Sequence, residues 1–279
     1  MLTITHNDGA KNKISIFQAS KLDAPVMICL PAMGVKATFY KRFAENLKRA
    51  GFHVITCDWR GHGSSSIRAS RQSNFGYQRL IDDIYDLMLT AERKFPGNKK
   101  FILGHSLGGQ VGTLYASRYP EMVSGIILIT TCSVHYRGWQ GWQAVKVFGA
   151  GCTFYLISEL MGYFPGNRLG FGDREARIVM KDWCNNALTG CYRLTNSTYN
   201  YDAAMKQLQL PVLAISIAHD DLASRNSVIN FINKLNPEAY IIHQHLTPAQ
   251  FGLEAPYHFS WAKKSDHIVY LIQNWLNCL

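Results

Sequence analysis

The chain has 279 residues, 47% hydrophobic and 17% charged, enough for one large α/β domain with an insertion or for two small domains. Its net charge of +10 comes from scattered cations such as Lys11, Lys41, Arg49, Arg68, Lys99 and Lys264. Without a basic helix or an aromatic-interleaved stripe, a nucleic-acid partner gains little support.

From the N-terminus, the alternation around Thr3–Thr5 and the run Ile14 to Ala19 read as an antiparallel pair turned by Asn7-Asp8-Gly9. Val26 to Leu30 is a short continuous apolar run, the pattern of a strand covered on both faces. It leads through Pro31-Ala32-Met33-Gly34 into a helix from about Thr38 to Ala50, with Gly51 as its stop. His53 to Cys57 is the next strand, and Asp58-Trp59-Arg60-Gly61-His62-Gly63-Ser64 a glycine-rich loop after it. A helix over Tyr77 to Lys94, a strand over Lys99 to Gly104, a helix over Leu107 to Arg118 and a strand over Gly125 to Thr130 follow. Alternation with short connections predicts a mostly parallel, doubly covered sheet.

The alternation stops from about Ser133 to Gln209, an aromatic-rich stretch without strand signal in which Gly162 to Asn167 reads as a turn. This stretch is expected to be a helical insertion over the active end of the sheet. Its longest apolar run, Val147 to Phe164, is broken by Gly149, Gly151, Ser158 and Glu159 and reads as a poor membrane span. The α/β pattern resumes with a strand over Pro211 to Ser216, a helix over Ser224 to Leu235, a strand over Glu238 to His243 and a closing helix over Ser265 to Leu276. The expected organisation is a core of residues 1–132 and 210–279 with a helical cap (lid) at 133–209.

Seven cysteines, an odd number with no C-x-x-C pair, point to buried thiols rather than a disulfide framework or a zinc site. The start Met1-Leu2-Thr3-Ile4 lacks the charged and apolar regions of a signal peptide. A cytoplasmic location is the expectation.

The chemistry centres on Gly104-His105-Ser106-Leu107-Gly108-Gly109. An apolar strand ends at a glycine, a serine follows two residues later, and a helix begins. This is the G-x-S-x-G pattern of a strained strand-to-helix turn that presents a serine hydroxyl at the positive end of a helix. A serine hydroxyl needs a base, and the base needs an acid to orient it. In chain order after such a serine come an acid and then a histidine. Asp220 and Asp221 both follow the penultimate strand. Asp220 is preferred, with Asp221 as the alternative. His258 lies in the loop after the last strand. His243 and His245 alternate on strand-like backbone and could share a face as metal ligands, but no further ligand follows at metal spacing. His62 and His219 read as structural, His267 falls inside the closing helix, and His105 points away from the serine. The two oxyanion donors are the backbone N–H groups of Leu107 and Met33. No cofactor and no metal are expected.

Pro31-Ala32-Met33-Gly34 with Tyr40, the Asp58–Ser64 loop, the Gly104–Gly109 elbow and His219-Asp220-Asp221 together resemble the α/β-hydrolase superfamily over nearly the whole chain. The resemblance is nearest to the monoacylglycerol lipase-like and serine aminopeptidase-like group, and within it to bacterial hydrolases sharing Gly162 to Gly166 with Leu169-Gly170. Pro31-Ala32 stands where that group carries His-Gly, Ser216-Ile217 replaces another His-Gly, and Tyr257 stands where glycine is common. The resemblance implies an α/β-hydrolase fold and a serine hydrolase. The expected function is cleavage of a small-molecule carboxylic ester with an apolar acyl or alcohol part. The competing readings are an acyltransferase, an aminopeptidase anchoring its substrate amine on Glu159 and Asp173, and a non-catalytic binding protein.

Overall fold

A computed structural model describes residues 2–251 and 258–279. In chain order the elements are β1 (Leu2–Thr5), β2 (Lys11–Phe17), β3 (Val26–Leu30), α1 (Lys41–Arg49), β4 (His53–Cys57), α2 (Tyr77–Lys94), β5 (Lys100–His105), α3 (Leu107–Arg118) and β6 (Gly125–Ile129). Then come α4 (Gly141–Met161), β7 (Tyr163–Pro165), α5 (Gly166–Leu169), β8 (Arg174–Ala176), α6 (Arg177–Thr189) and α7 (Tyr201–Gln207). The chain closes with β9 (Val212–Ile217), α8 (Arg225–Ile232), β10 (Ile241–Leu246) and α9 (Asp266–Leu276).

Eight strands form one sheet in the order β1-β2-β4-β3-β5-β6-β9-β10. The β1–β2 and β2–β4 pairs are antiparallel and the rest are parallel. The central strands are apolar on both faces because helices cover both. In β3, Val26, Ile28 and Leu30 face one layer while Met27 and Cys29 face the other. Leu80, Ile84 and Leu87 of α2 and Val111 and Leu114 of α3 cover the first layer. Phe43 and Leu47 of α1 and Ile268, Ile272 and Trp275 of α9 cover the second. Each such large apolar side chain removed from water contributes about 1.5–3 kcal/mol. A one-residue slip would exchange the two layers, so register is strongly specified.

Two sequence expectations are corrected. The last strand spans Ile241–Leu246, three residues later than expected, because its pairing runs Ile241 against Val212 to Leu246 against Ile217. The segment between β6 and β9 contains two short antiparallel strands, β7 and β8, paired Tyr163 to Ala176. The expected turn at Gly162 to Asn167 is instead a left-handed residue, Gly162 (φ +78°), that ends α4 and leads into β7. Three-residue strands are too short to leave a period-two signal.

The apolar run from Val147 lies largely within α4. Gly149, Gly151, Ser158 and Glu159 interrupt the apolar run but lie within the continuous helix. Gly151 makes room for Ala187 and Leu188, the Ser158 hydroxyl donates to the Phe154 carbonyl at 2.6 Å, and Glu159 pairs with Arg177 at 3.2 Å. Among the described residues α4 is the helix long and apolar enough to cross a membrane, with a mean hydropathy of 1.3. Trp142, Val145, Leu156 and Leu160 on it are exposed, while Val147, Ala150 and Phe154 look into the central cavity. All seven cysteines are free.

Candidate active site

The elbow sits at the carboxyl end of β5, in the middle of the sheet. Ser106 has φ +53° and ψ −115°, a strained conformation for a residue with a side chain. Two hydrogen bonds hold the turn: the Ser106 N–H donates to the Ile129 carbonyl at 3.1 Å, and its carbonyl accepts from Gly109 at 3.0 Å. Glycine is required here by close approach. A Cβ on Gly104 would stand 2.3 Å from Gly109 Cα, and one on Gly108 would stand 2.1 Å from the Leu30 carbonyl oxygen. Gly104 lets β5 and α3 meet at this angle, and Gly108 lets α3 pass against the end of β3.

Asp220 follows β9 through His219, whose φ of +61° swings the chain out of the strand. The Asp220 side chain is fully buried. Its Oδ1 accepts the N–H groups of Leu222 at 2.9 Å and Ala223 at 3.0 Å, leaving Oδ2 to face the His258 ring at 2.8 Å from Nδ1. The structure therefore brings Asp220, not Asp221, to His258. Asp221 is exposed and lies in the cavity wall. Tyr257 falls outside the described residues, as does Pro256.

Ser106, His258, Met33 and Leu107 all border one cavity of about 440 Å³. This volume lies within the ~300–1,000 Å³ range of small-molecule sites. Its wall is largely apolar, with Trp139, Val147, Phe154, Phe171 and Trp183 from the segment between β6 and β9. Phe154, Phe171 and Trp183 pack on one another with centroid separations of 5.1–6.0 Å. Lys146 and Asp221 also line the wall. Leu107 is the first residue of α3, and Met33 lies in the loop after β3. Among the described residues no acceptor takes the N–H of either one.

Glu159 and Asp173 do not come together in the cavity wall. Glu159 is bound to Arg177, and Asp173 lies 3.7 Å from His62. His62 is buried with its Nε2 3.0 Å from the buried Glu175 carboxylate. Burial works against a charged ring, but Glu175 and Asp173 outweigh it and raise the His62 pKa above its usual value. This contact ties β8 to the loop after β4. Beside it, Gly34 lies against the backbone of Gly172 and Asp173, where a Cβ would stand 2.4 Å from the Gly172 carbonyl carbon. The sequence offered no signal for these contacts, because their partners lie over a hundred residues apart.

Two clusters have metal-type donors. His243 Nε2 and His245 Nδ1 each lie 2.8 Å from the Ser216 hydroxyl, and among the described residues no third histidine, cysteine or carboxylate joins them. His6, Asp83 and Asp86 converge, but Arg60 already forks onto Asp83 with its Nε and a terminal nitrogen and reaches Asp8 at 2.7 Å. That arrangement is a buried ion-pair network.

A family model described as "Serine aminopeptidase, S33" matches residues 23–149. Monoglyceride lipase from Rattus norvegicus is 27% identical over 188 residues, which is 66% of this chain and 61% of the lipase. Lysophospholipase L2 from Escherichia coli is 31% identical over 116 residues, 40% of this chain and 34% of that protein. The chain thus spans about three fifths of the length of the lipase it matches. Among solved structures, Est1E from Butyrivibrio proteoclasticus with ferulic acid bound superposes with a TM-score of 0.71 at 12% identity, covering 99% of this chain and 100% of that one. A monoacylglycerol lipase from Paleococcus ferrophilus superposes with a TM-score of 0.62 at 17% identity, covering 95% and 99%. With the elbow at the centre of a mostly parallel eight-stranded sheet, these likenesses show that the chain has the α/β-hydrolase fold.

Proposed function

We propose that this protein is a serine hydrolase that cleaves a carboxylic ester with an apolar acyl or alcohol part. The observation that carries the reading is the His258 ring, held at Nδ1 by a buried Asp220 carboxylate in the same apolar cavity as the strained Ser106. Names of similar proteins point the same way, since they include a monoglyceride lipase and a lysophospholipase.

The chemistry follows from the proton inventory. Asp220 accepts the Nδ1 proton of His258 and leaves Nε2 free as a base. His258 takes the hydroxyl proton as the Ser106 oxygen attacks the ester carbonyl. The tetrahedral oxyanion is received by the unclaimed N–H groups of Met33 and Leu107, at the positive end of α3. Collapse expels the alcohol, which takes the proton back from His258, and leaves an acyl-enzyme on Ser106. A water, deprotonated by His258, attacks the acyl carbonyl, and collapse releases the acid as His258 returns that proton to the Ser106 oxygen. The desolvated wall strengthens each of these electrostatic contacts.

Residues 133–209 act as the cap in this proposal and supply the aromatic half of the wall. The aminopeptidase reading loses its expected anchor, since Glu159 and Asp173 are engaged elsewhere. A panel of p-nitrophenyl esters of increasing chain length, with a fluorophosphonate probe, tests the proposal. Wild-type protein should turn over esters and be labelled, and Ser106→Ala should lose both. Unchanged labelling and turnover in Ser106→Ala would end the proposal.

A further inference from the structure

The residue before the nucleophile, His105, is fully buried and lies outside the cavity wall. Its Nδ1 is 2.7 Å from the Tyr40 hydroxyl and its Nε2 is 3.1 Å from the main-chain oxygen of His258. The Tyr40 hydroxyl in turn accepts the N–H of Ala32 at 3.0 Å.

Donor and acceptor accounting fixes the direction of this chain. The Ala32 amide can only donate, so the Tyr40 oxygen accepts there and gives its own proton to His105 Nδ1. A carbonyl oxygen can only accept, so the imidazole proton sits on Nε2 and points at His258. Burial, with the neighbouring His258, holds the His105 pKa well below its usual value, so the ring carries that one proton and no second. The Trp261 indole nitrogen is 3.5 Å from Nε2, and its ring packs edge-on against His105 with centroids 5.1 Å apart. That contact is packing, since Nε2 already serves as a donor. Phe39 and Trp261 flank the Tyr40 ring.

The chain touches three separate parts of the reaction centre. Ala32 precedes the Met33 amide, His105 precedes Ser106, and the carbonyl belongs to His258 itself. They come from the loop after β3, the end of β5 and the segment before α9; β3 and β5 are paired up to Leu30 and Gly104, whereas the His258 segment lies outside the sheet. We propose that Tyr40 and His105 are positioning residues: a directed hydrogen-bond chain that sets the spacing between the oxyanion donor, the nucleophile and the base. The inference rests on the Ser106–His258–Asp220 reading above.

The test uses Tyr40→Phe, which deletes one oxygen and keeps the ring packing, beside His105→Leu and His105→Gln. A displacement of about 1 Å in a reaction centre costs roughly 10²-fold in rate. Tyr40→Phe should therefore lower kcat by roughly 10- to 100-fold, leave KM within about twofold, and slow the first-turnover acylation rate without lowering its amplitude. His105→Gln, whose amide can still donate to the His258 carbonyl, should recover about tenfold over His105→Leu. The proposal is overturned if Tyr40→Phe keeps a wild-type acylation rate. It is equally overturned if the loss appears only in burst amplitude, which reports a misfolded fraction, or only in KM. Ser106→Ala, run alongside, separates the two readings. An inactive Ser106→Ala with a fully active Tyr40→Phe sinks the positioning chain alone, and a fully active Ser106→Ala sinks both.

Discussion

Asp220→Asn and Asp221→Asn form the sharpest pair of perturbations, because the two residues are adjacent and equally acidic. In Asp220→Asn the amide oxygen can keep both contacts now made by Oδ1, to the N–H groups of Leu222 at 2.9 Å and Ala223 at 3.0 Å. The NH₂ group must then face His258 Nδ1, where Oδ2 now stands at 2.8 Å. A donor there forces the ring proton onto Nε2, the atom that receives the serine proton in the proposed mechanism. In a serine protease this wrong tautomer costs about 10⁴ in kcat with geometry intact. That corresponds to roughly 5.5 kcal/mol of transition-state stabilisation. Asp220→Asn should therefore fall by about 10³- to 10⁴-fold in kcat on p-nitrophenyl esters while its Tm stays near that of the wild type. Asp221→Asn should stay within about threefold in kcat, since its carboxylate is exposed and makes no contact with His258. The reasoning is refuted if Asp221→Asn shows the large loss, or if Asp220→Asn loses less than about tenfold.

Protonated His62, its pKa raised by Glu175 and Asp173, contributes stability that is fully present below the unfolded value of about 6.5 and is lost as pH rises through the higher folded value. Thermal melts above pH 6.5 should show wild type losing stability relative to Glu175→Gln, whose profile over that window is flatter. Gly108→Ala places a Cβ 2.1 Å from the Leu30 carbonyl oxygen, where both partners are backbone. It should cost at least about 3 kcal/mol and lower Tm by roughly 6–12 °C in differential scanning fluorimetry. Ala150→Trp fills the cavity from α4 and should shift ester preference to shorter acyl chains. A drop of about tenfold in kcat/KM for the longest accepted ester, with the shortest little changed, would be the signature.

The elbow was legible because its physics is local. Gly104 is demanded by Gly109 within the turn itself, and Gly108, though demanded by the Leu30 carbonyl of β3, falls in the same six-residue pattern. The central strands were equally legible, since helices on both faces leave continuous apolar runs such as Val26 to Leu30. The position of β10 was not, because its ends are set by pairing with β9 and its own side chains are mostly half-exposed. The strands β7 and β8 were missed for their length. The small and polar residues that interrupt the apolar run of α4 find partners only in three dimensions, Gly151 against Ala187 and Leu188, Ser158 on Phe154 and Glu159 on Arg177.

Chain order by itself determined the fold class and narrowed the candidate site to a short set of residues. Only the tertiary structure separated Asp220 from Asp221, because adjacency in sequence says nothing about which carboxylate turns inward. That choice is made by the left-handed His219 and by two amides that pin Oδ1, leaving Oδ2 for a ring 38 residues away. Likewise only the folded chain joins Ala32, Tyr40, His105 and His258, since a hydrogen-bond chain across distant segments has no linear signature.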